Sequence, residues 1–373
     1  MRDSACLPER RSGAQSRFGA VSVNIKIVGT GLIGTSIGLA LARKGITAQL
    51  ADQSASNLKL AIDYGAGAAA SEAVDVVVVC VPPDLTATVV IQELAANPNA
   101  IVTDVASVKS AIRHEVDTSA EDPSRYIGSH PMAGREAGGP KGARADLFFA
   151  RPWVITPGSE SSQEQITQLR QLALEMDALP IVLSPQEHDA SVALVSHLPQ
   201  LISSALAGRL LAAEAADLSL TGQGLRDTTR IAASDPAMWL QILQQNANHI
   251  APLLAELKAD IDALTDAFQD INGAGSLSQI HRLLTAGNDG VAKVPGKHGG
   301  KYLEYKTVTA LIDDSPGALA SLLTFIGEKG INLEDIQLEH SPGAPIGLVE
   351  LQVLPQLEAD LISQLTENGW RLA

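Results

Sequence analysis

From residue 23 the chain alternates short apolar runs with helical stretches. Residues 23–28, 46–51, 74–81, 101–104 and 126–129 have the length and composition of strands. Two more, 152–156 and 180–183, flank a helical stretch at 162–177. Strands separated by helices in this way predict a doubly wound parallel sheet of the Rossmann type that ends near Ser184. Beyond it the strands stop. Residues 187–211 and 236–268 read as long helices rich in Ala and Leu, too apolar for the surface of a small monomer, and predict an all-α domain packed against a second copy. Residues 285–301, TAGNDGVAKVPGKHGGK, have linker composition. After them a strand at 306–312, a helix at 316–329, strands at 331–339 and 346–354 and a helix at 357–368 spell βαββα, most of a ferredoxin-like α+β unit. Only 370–373 remain for a last strand. The expected plan is a flexible leader (1–22), a dinucleotide-binding domain (23–184), a helical substrate and dimerisation domain (185–284), a linker (285–303) and a C-terminal domain (304–373).

Composition narrows the function classes. A chain of 373 residues has room for two to three domains of roughly 150 residues. Its net charge of -15 argues against a nucleic-acid partner, and an anionic substrate would need a local cationic pocket. Cys6 and Cys80 cannot form a disulfide framework or a zinc cluster, and no histidine has metal-ligand spacing. No unbroken apolar run approaches the roughly 18 residues of a membrane span, and 1–22 lacks a hydrophobic signal core. The expectation is a cytoplasmic protein with no membrane partner.

The chemistry gathers at the carboxyl ends of the predicted strands, where open parallel sheets bind ligands. Gly29, Gly31 and Gly34, with Leu32 and Ile33 between them, form GTGLIG directly after a strand and before the helical run 36–43. The first glycine permits a tight turn, the second lets backbone N–H groups approach a pyrophosphate, and the third allows close helix packing. Asp52, at the end of the next strand, would accept hydrogen bonds from ribose hydroxyls and repel a 2'-phosphate. No Arg or Lys occurs in 53–56, so NAD is favoured over NADP. Val81 and Pro82 close the cofactor set. Ser107 in DVASVK and His130 in GSHPMAG follow at later strand ends. A histidine beside a nicotinamide can take an alcohol proton as hydride leaves the carbon, although a loop histidine taken alone is more often structural.

In this combination residues 23–295 resemble the prephenate/arogenate dehydrogenase family. The resemblance rests on GTGLIGTSIGLAL, DVASVK, GSHPMAGRE with His130 and Glu136, ALVSHLPQ with His197, and RDTTRIAASDPAMW with Arg226, Arg230 and Trp239. It implies oxidative decarboxylation of prephenate to 4-hydroxyphenylpyruvate, or of arogenate to tyrosine, with a nicotinamide cofactor. It implies that Ser107 hydrogen-bonds both His130 and the substrate hydroxyl, and that Glu136 shapes the pocket mouth. His197 and Gln200 share a helix face that would line the cleft, and Pro199 predicts a kink there. Arg230 suits a substrate carboxylate through its bidentate fork, with Arg226 one helical turn away, although both could instead bridge Asp227, Asp235 or a partner subunit. Trp239 reads as a supporting wall on a helix with Asp235 as N-cap and Pro236 in the first turn. Gln200 stands where some family members have a histidine. Its neutrality leans to prephenate, because the ammonium of arogenate would favour an acidic neighbour. His188, His249 and His281 read as surface or packing residues.

Residues 306–373 resemble an ACT domain, a regulatory module, through DSPGALASLL and GINLEDIQ. By that resemblance Gly317 lets an amino-acid effector approach the backbone and Asn332 bonds its amino or carboxyl group. Tyrosine, the end product of the implied pathway, is the expected effector, and a homodimer the expected assembly. Two other readings compete. A β-hydroxyacid dehydrogenase would want a catalytic lysine in 187–211, which has none. A non-catalytic NAD-binding sensor would have no use for Ser107, His130 and Arg230 together.

Overall fold

The computed structural model describes residues 23–70, 73–134, 138–295, 305–340 and 346–373, so the leader 1–22 and Glu136 lie outside the described residues. The chain forms two compact units. One holds residues through Gly208 together with Ile231–Ala255, the other Arg209–Arg230 with Glu256–Ala373.

The first unit is built on β1 (Ile25–Val28), β2 (Gln49–Ala51), β3 (Ala68–Ala69), β4 (Val76–Val79) and β5 (Ile101–Asp104). They lie in the order β3-β2-β1-β4-β5 and pair in parallel throughout. The two-alanine β3 gives no strand signal in the sequence. Every residue of β4 and β5 is buried, as strands covered on both faces require. Alternation along the strands divides the core. Ile25, Ile27, Val76 and Val78 pack with Ile37 and Leu41 of α1 (Leu32–Arg43) and Ala61 of α2 (Ala55–Asp63). Val77, Val79 and Val102 pack with Val90 and Leu94 of α3 (Pro83–Ala96) and Ile112 of α4 (Ser110–Ser119). Strand order reverses between β1 and β4, which opens a crevice at their carboxyl ends.

A three-stranded sheet follows: β6 (Gly128–Pro131), β7 (Pro152–Thr156) and β8 (Leu179–Val182), bridged to the first sheet between Val102 and Tyr126. β6 and β7 run antiparallel, whereas β7 and β8, joined by α5 (Gln163–Glu175), run parallel. This corrects the all-parallel expectation. Among the described residues between β6 and β7 there is only a 3-10 turn at Pro140–Gly142, and without a crossover helix the chain doubles back. It also places His130 inside β6, opposite Val154, and not just past a strand.

The expected helix 187–211 is divided into α6 (Pro185–Val192), a π-helical turn at Ala193–His197, α7 (Leu198–Arg209) and a 3-10 turn at Leu210–Ala212. Pro199 has no N–H to continue the α-helical ladder, and the wider turn, in which Leu198 N bonds Ala193 O, accommodates it. Contrary to the sequence expectation, the helical run Pro185–Ala212 is long and apolar enough by length and composition to span a bilayer. It nevertheless buries His188, Asp189, His197, Gln200 and Ser203 inside the protein, and all but the Ser203 hydroxyl meet polar partners there. In the second unit lie α8 (Ala215–Leu218) and α9 (Gln223–Thr229). The expected helix 236–268 breaks at buried Asn246 into α10 (Pro236–Gln245) and α11 (Ala247–Gln269). Asp235 caps α10 as expected, accepting from Ala237 N at 2.9 Å.

α12 (Ser276–Val291) continues seven residues into the segment read as linker. Gly287 and Gly290 cost about 1 kcal/mol each in a helix. Ala286 and Gly287 line an open groove together with Leu257, Ile261 and Leu264 of α11. The second unit then builds β9 (Lys306–Asp313), α13 (Ala318–Glu328), β10 (Asp335–His340), β11 (Ile346–Val353), α14 (Glu358–Glu367) and β12 (Arg371–Leu372). The order β10-β11-β9-β12, antiparallel at each pairing, completes the expected ferredoxin-like unit with a last strand of two residues. Its core of Val308, Ile312, Leu322, Ile326, Val349, Leu361 and Leu365 is self-contained.

Candidate active site

The glycine turn is explained by contacts at the carboxyl ends of β1 and β4. Gly29 has φ +98°, and a Cβ there would lie 2.5 Å from Cys80 O. One on Gly34 would lie 1.9 Å from Gly29 O. Gly31 differs: it is the N-cap of α1, without a side-chain cap, and nothing stands within 4 Å of where its Cβ would be. The open space faces the first turn, Leu32, Ile33 and Gly34, whose N–H groups and helix dipole suit a pyrophosphate. Half-buried Val81 and exposed Pro82, which caps α3, stand at the end of β4 opposite Gly29. These residues fit a dinucleotide. Asp52 is already engaged. Its Oδ2 accepts from Thr30 N at 2.6 Å and Thr30 Oγ1 at 2.7 Å, and its Oδ1 from Ser54 N at 2.7 Å, so it braces the glycine loop.

Behind this loop lies a buried polar cluster. His130 Nδ1 is 2.9 Å from His188 Nε2, and His188 Nδ1 is 2.8 Å from Asp189 Oδ1. Asp189 accepts further bonds from Lys109 N and Ser110 N, both at 2.8 Å, at the start of α4. Burial works to raise the Asp189 carboxyl, but the bonds from His188, Ser110 and Lys109 hold it below the ordinary carboxylate value. Burial, then the proximity of His188, Lys109 and His197, keeps His130 well below the usual histidine range. Asn246 Nδ2 donates to Asp189 O at 2.8 Å and meets His197 Nδ1 at 3.0 Å. His197 is pushed down to about 4, chiefly by burial. Its ring meets Trp239 edge-on at 5.9 Å, and the Trp239 indole N–H is buried without a partner.

The expected residues separate into groups. His130, His197, Gln200 and Trp239 belong to the first unit, with Gln200 buried on α7 and its amide 3.4 Å from Ser204 Oγ. Ser107 is half-buried just after β5, but the ring bond of His130 goes to His188 and not to Ser107. The structure thus adds a partner that the sequence reading did not expect: α6 brings a second imidazole to His130 Nδ1. Arg226 on α9 and Arg230 at its C-cap are exposed residues of the second unit, and the helix gives way to a 3-10 turn at Arg230.

Family models match two successive stretches: the nucleotide-binding domain of prephenate dehydrogenase over residues 37–182, and its dimerization domain over 184–284. The chain belongs to the prephenate dehydrogenase family. Membership makes it an oxidoreductase with a nucleotide-binding domain. It is 33% identical over 358 residues to a probable prephenate dehydrogenase, NovF, of Streptomyces niveus, covering 92% of this chain and 98% of that one. To a prephenate dehydrogenase of Bacillus subtilis it is 27% identical over 328 residues, 84% of this chain and 87% of the other. Among solved structures it is similar to the arogenate dehydrogenase of Synechocystis, at 28% identity and a TM-score of 0.61, over 72% of this chain and 99% of that one.

Four residues of this prephenate dehydrogenase family site escape sequence reasoning: His188, Asp189, Asn246 and Lys109. His188 reads as a surface or packing residue and is fully buried at the centre of the cluster. The available signal is its neighbour Asp189, one turn inside a helix whose start is fixed by the Ser184–Glu187 capping box. Asn246 carries no signal, since nothing local announces a helix break there. Lys109 lies within DVASVK, but its burial against Asp104 cannot be read from spacing.

Proposed function

We propose that this chain converts prephenate to 4-hydroxyphenylpyruvate with NAD, as a cytoplasmic homodimer. The observation that carries the reading is His130: buried, electrically neutral and committed through Nδ1, it keeps Nε2 for a substrate hydroxyl. The residues of the glycine turn, from Gly29 to Gly34, would hold the pyrophosphate. Bound NAD supplies the hydride acceptor. As hydride leaves the ring carbon, His130 takes the hydroxyl proton. The bond to the ring carboxylate then breaks, its electron pair enters the ring and carbon dioxide departs. His130 returns the proton to the phenolic oxygen, and aromatisation makes the step irreversible.

The remaining assignments follow from chemistry and from the family resemblance. Ser107 hydrogen-bonds the substrate hydroxyl, and Glu136 shapes the mouth. Arg230, supported by Arg226, takes a substrate carboxylate. His197 accepts from Asn246 at Nδ1, so its proton sits on Nε2 and points a donor at the substrate beside Trp239. Neutral Gln200 favours prephenate over arogenate. The C-terminal unit acts as an ACT domain that binds tyrosine. In support, Gly317 has φ +91° and open space beside it, and Asn332 donates to Glu334 Oε1 at 3.0 Å in the loop before β10. Initial rates with prephenate and arogenate, each crossed with NAD and NADP, test the reading. Prephenate with NAD should be fastest. A tenfold preference for arogenate or for NADP overturns the corresponding half.

A further inference from the structure

We propose that His188 is a positioning residue that, anchored by Asp189, fixes His130 as its Nδ1–H tautomer and leaves Nε2 as the proton-accepting nitrogen. This rests on His130 being the base of the proposed reaction.

The bonding pattern determines the tautomers from the carboxylate outward. Asp189 accepts backbone N–H bonds from Lys109 and Ser110 at the N-terminus of α4, where the helix dipole favours an anion. Held ionised, it can only accept. His188 Nδ1, 2.8 Å away, therefore carries the hydrogen. Neutral His188 then has its lone pair on Nε2, and His130 Nδ1 at 2.9 Å must donate to it. The remaining lone pair of His130 lies on Nε2. Adding a proton to His188 would reverse this order. Its Nε2 would become a donor, His130 Nδ1 the acceptor, and the hydrogen would move to His130 Nε2, where it blocks proton uptake. Among the described residues the ionisable groups facing His130 are His188, Lys109 and His197, with Asp189 behind His188 and Asp104 behind Lys109. The order Asp189–His188–His130 therefore holds with His188 neutral, and the tautomer it assigns to His130 is what the wild-type spectrum reads. When His130 takes the substrate proton, the lone pair of His188 stabilises the new imidazolium, and the Asp189 charge stands behind it.

Two measurements decide the matter. Nitrogen NMR of the full-length protein labelled with 15N in its imidazole rings reads the tautomer directly. The expected result at pH 8 is a protonated, pyrrole-type Nδ1 and a bare, pyridine-type Nε2 for His130, its signals assigned by loss in His130→Asn. The second is steady-state kinetics of His188→Phe and His188→Gln. Phenylalanine fills the space without accepting, and kcat should fall about 10- to 100-fold while the KM values for prephenate and NAD stay within about twofold. Glutamine can still accept from His130 Nδ1 and should recover part of the loss. An Nε2–H tautomer in the wild-type protein overturns the proposal. So does a His188→Phe variant that keeps kcat within threefold, or that loses KM and kcat together with no recovery by Gln. If His188→Phe does not fold, the wild-type spectrum and His188→Gln still decide. Failure of the wild-type protein to oxidise prephenate would sink the substrate reading alone, because the tautomer is read without substrate.

Discussion

Lys109 Nζ donates to Ser129 O at 2.8 Å, which ties the DVASVK loop to the residue immediately before His130. The same ammonium is paired with Asp104, whose second oxygen accepts from Tyr126 OH at 3.0 Å. Both charges are almost wholly buried. Removing one partner of such a pair costs about 3–5 kcal/mol, because the other is left buried and uncompensated. Lys109→Met should therefore lose stability on that scale in urea unfolding. Lys109→Met with Asp104→Asn should recover much of it, and Lys258→Met, whose partner Asp262 is exposed, should change nothing measurable.

His130→Asn should lower kcat by about 10²–10⁴ while leaving the dissociation constant for NAD unchanged, since the glycine turn does not depend on the imidazole. Stopped-flow hydride transfer and fluorescence titration separate the two effects. A variant that keeps a third of wild-type kcat would remove His130 from the chemistry.

Acid should weaken the fold before it protonates most carboxylates. His197 is held near 4 by burial, with Asp189 pulling it up and His188 pushing it down, and His130 lies well below its ordinary value. In the unfolded chain both titrate near about 6.5. Between those values the unfolded state binds protons that the folded state does not. The contribution of these groups is therefore complete above about pH 6.5 and declines as pH falls towards 4. Asp189, held low in the fold, acts in the same direction only below the ordinary carboxylate range. Urea midpoints at half-unit steps from pH 7.5 to 4.5 should trace the decline, and His197→Gln should flatten it.

Asp52→Ser with Gln53→Arg should raise the ratio of kcat/KM for NADP to that for NAD, because it removes a repulsive carboxylate and adds a cation. Absolute kcat/KM should fall with both cofactors, since Thr30 and Ser54 lose the acceptor that braces the turn. An unmoved ratio would show that Asp52 acts only on the loop.

Tyrosine should inhibit the full chain several-fold to about a hundredfold at saturation, the range of a coupling of about 1–3 kcal/mol. A chain ending near residue 300 should escape that inhibition, since among the described residues the core of 306–372 draws only on that segment. Equal inhibition of the truncated enzyme would place tyrosine in the active site as a competitor.

What could be read in the sequence is what local sterics impose. Gly29 and Gly34 are glycines because a Cβ would strike Cys80 O or Gly29 O, and such demands leave a motif. The strands, the α10 cap and the βαββα order are local in the same way. The reversed β6–β7 pairing is not, because it depends on how a connection travels and not on the residues of either strand. His188 and Asp189 are legible only after α6 has met the start of α4, a contact between residues about 80 apart in the chain. A histidine that burial makes directional looks, in one dimension, like any other histidine.

The π-helical turn at Ala193–His197 sets a phase for everything after it. Each residue of an α-helix advances the chain by about 100°. Were the same residues to run on from α6 into α7 as one regular α-helix, without the wider turn, each would advance by that amount. His188 and Asp189 would keep their bearing. The face carrying Gln200 and Ser203 would then turn by about a quarter of a revolution away from where it now lies buried. The two halves of the site are thus written in different helical frames, and the wide turn, by absorbing one residue, holds them in step.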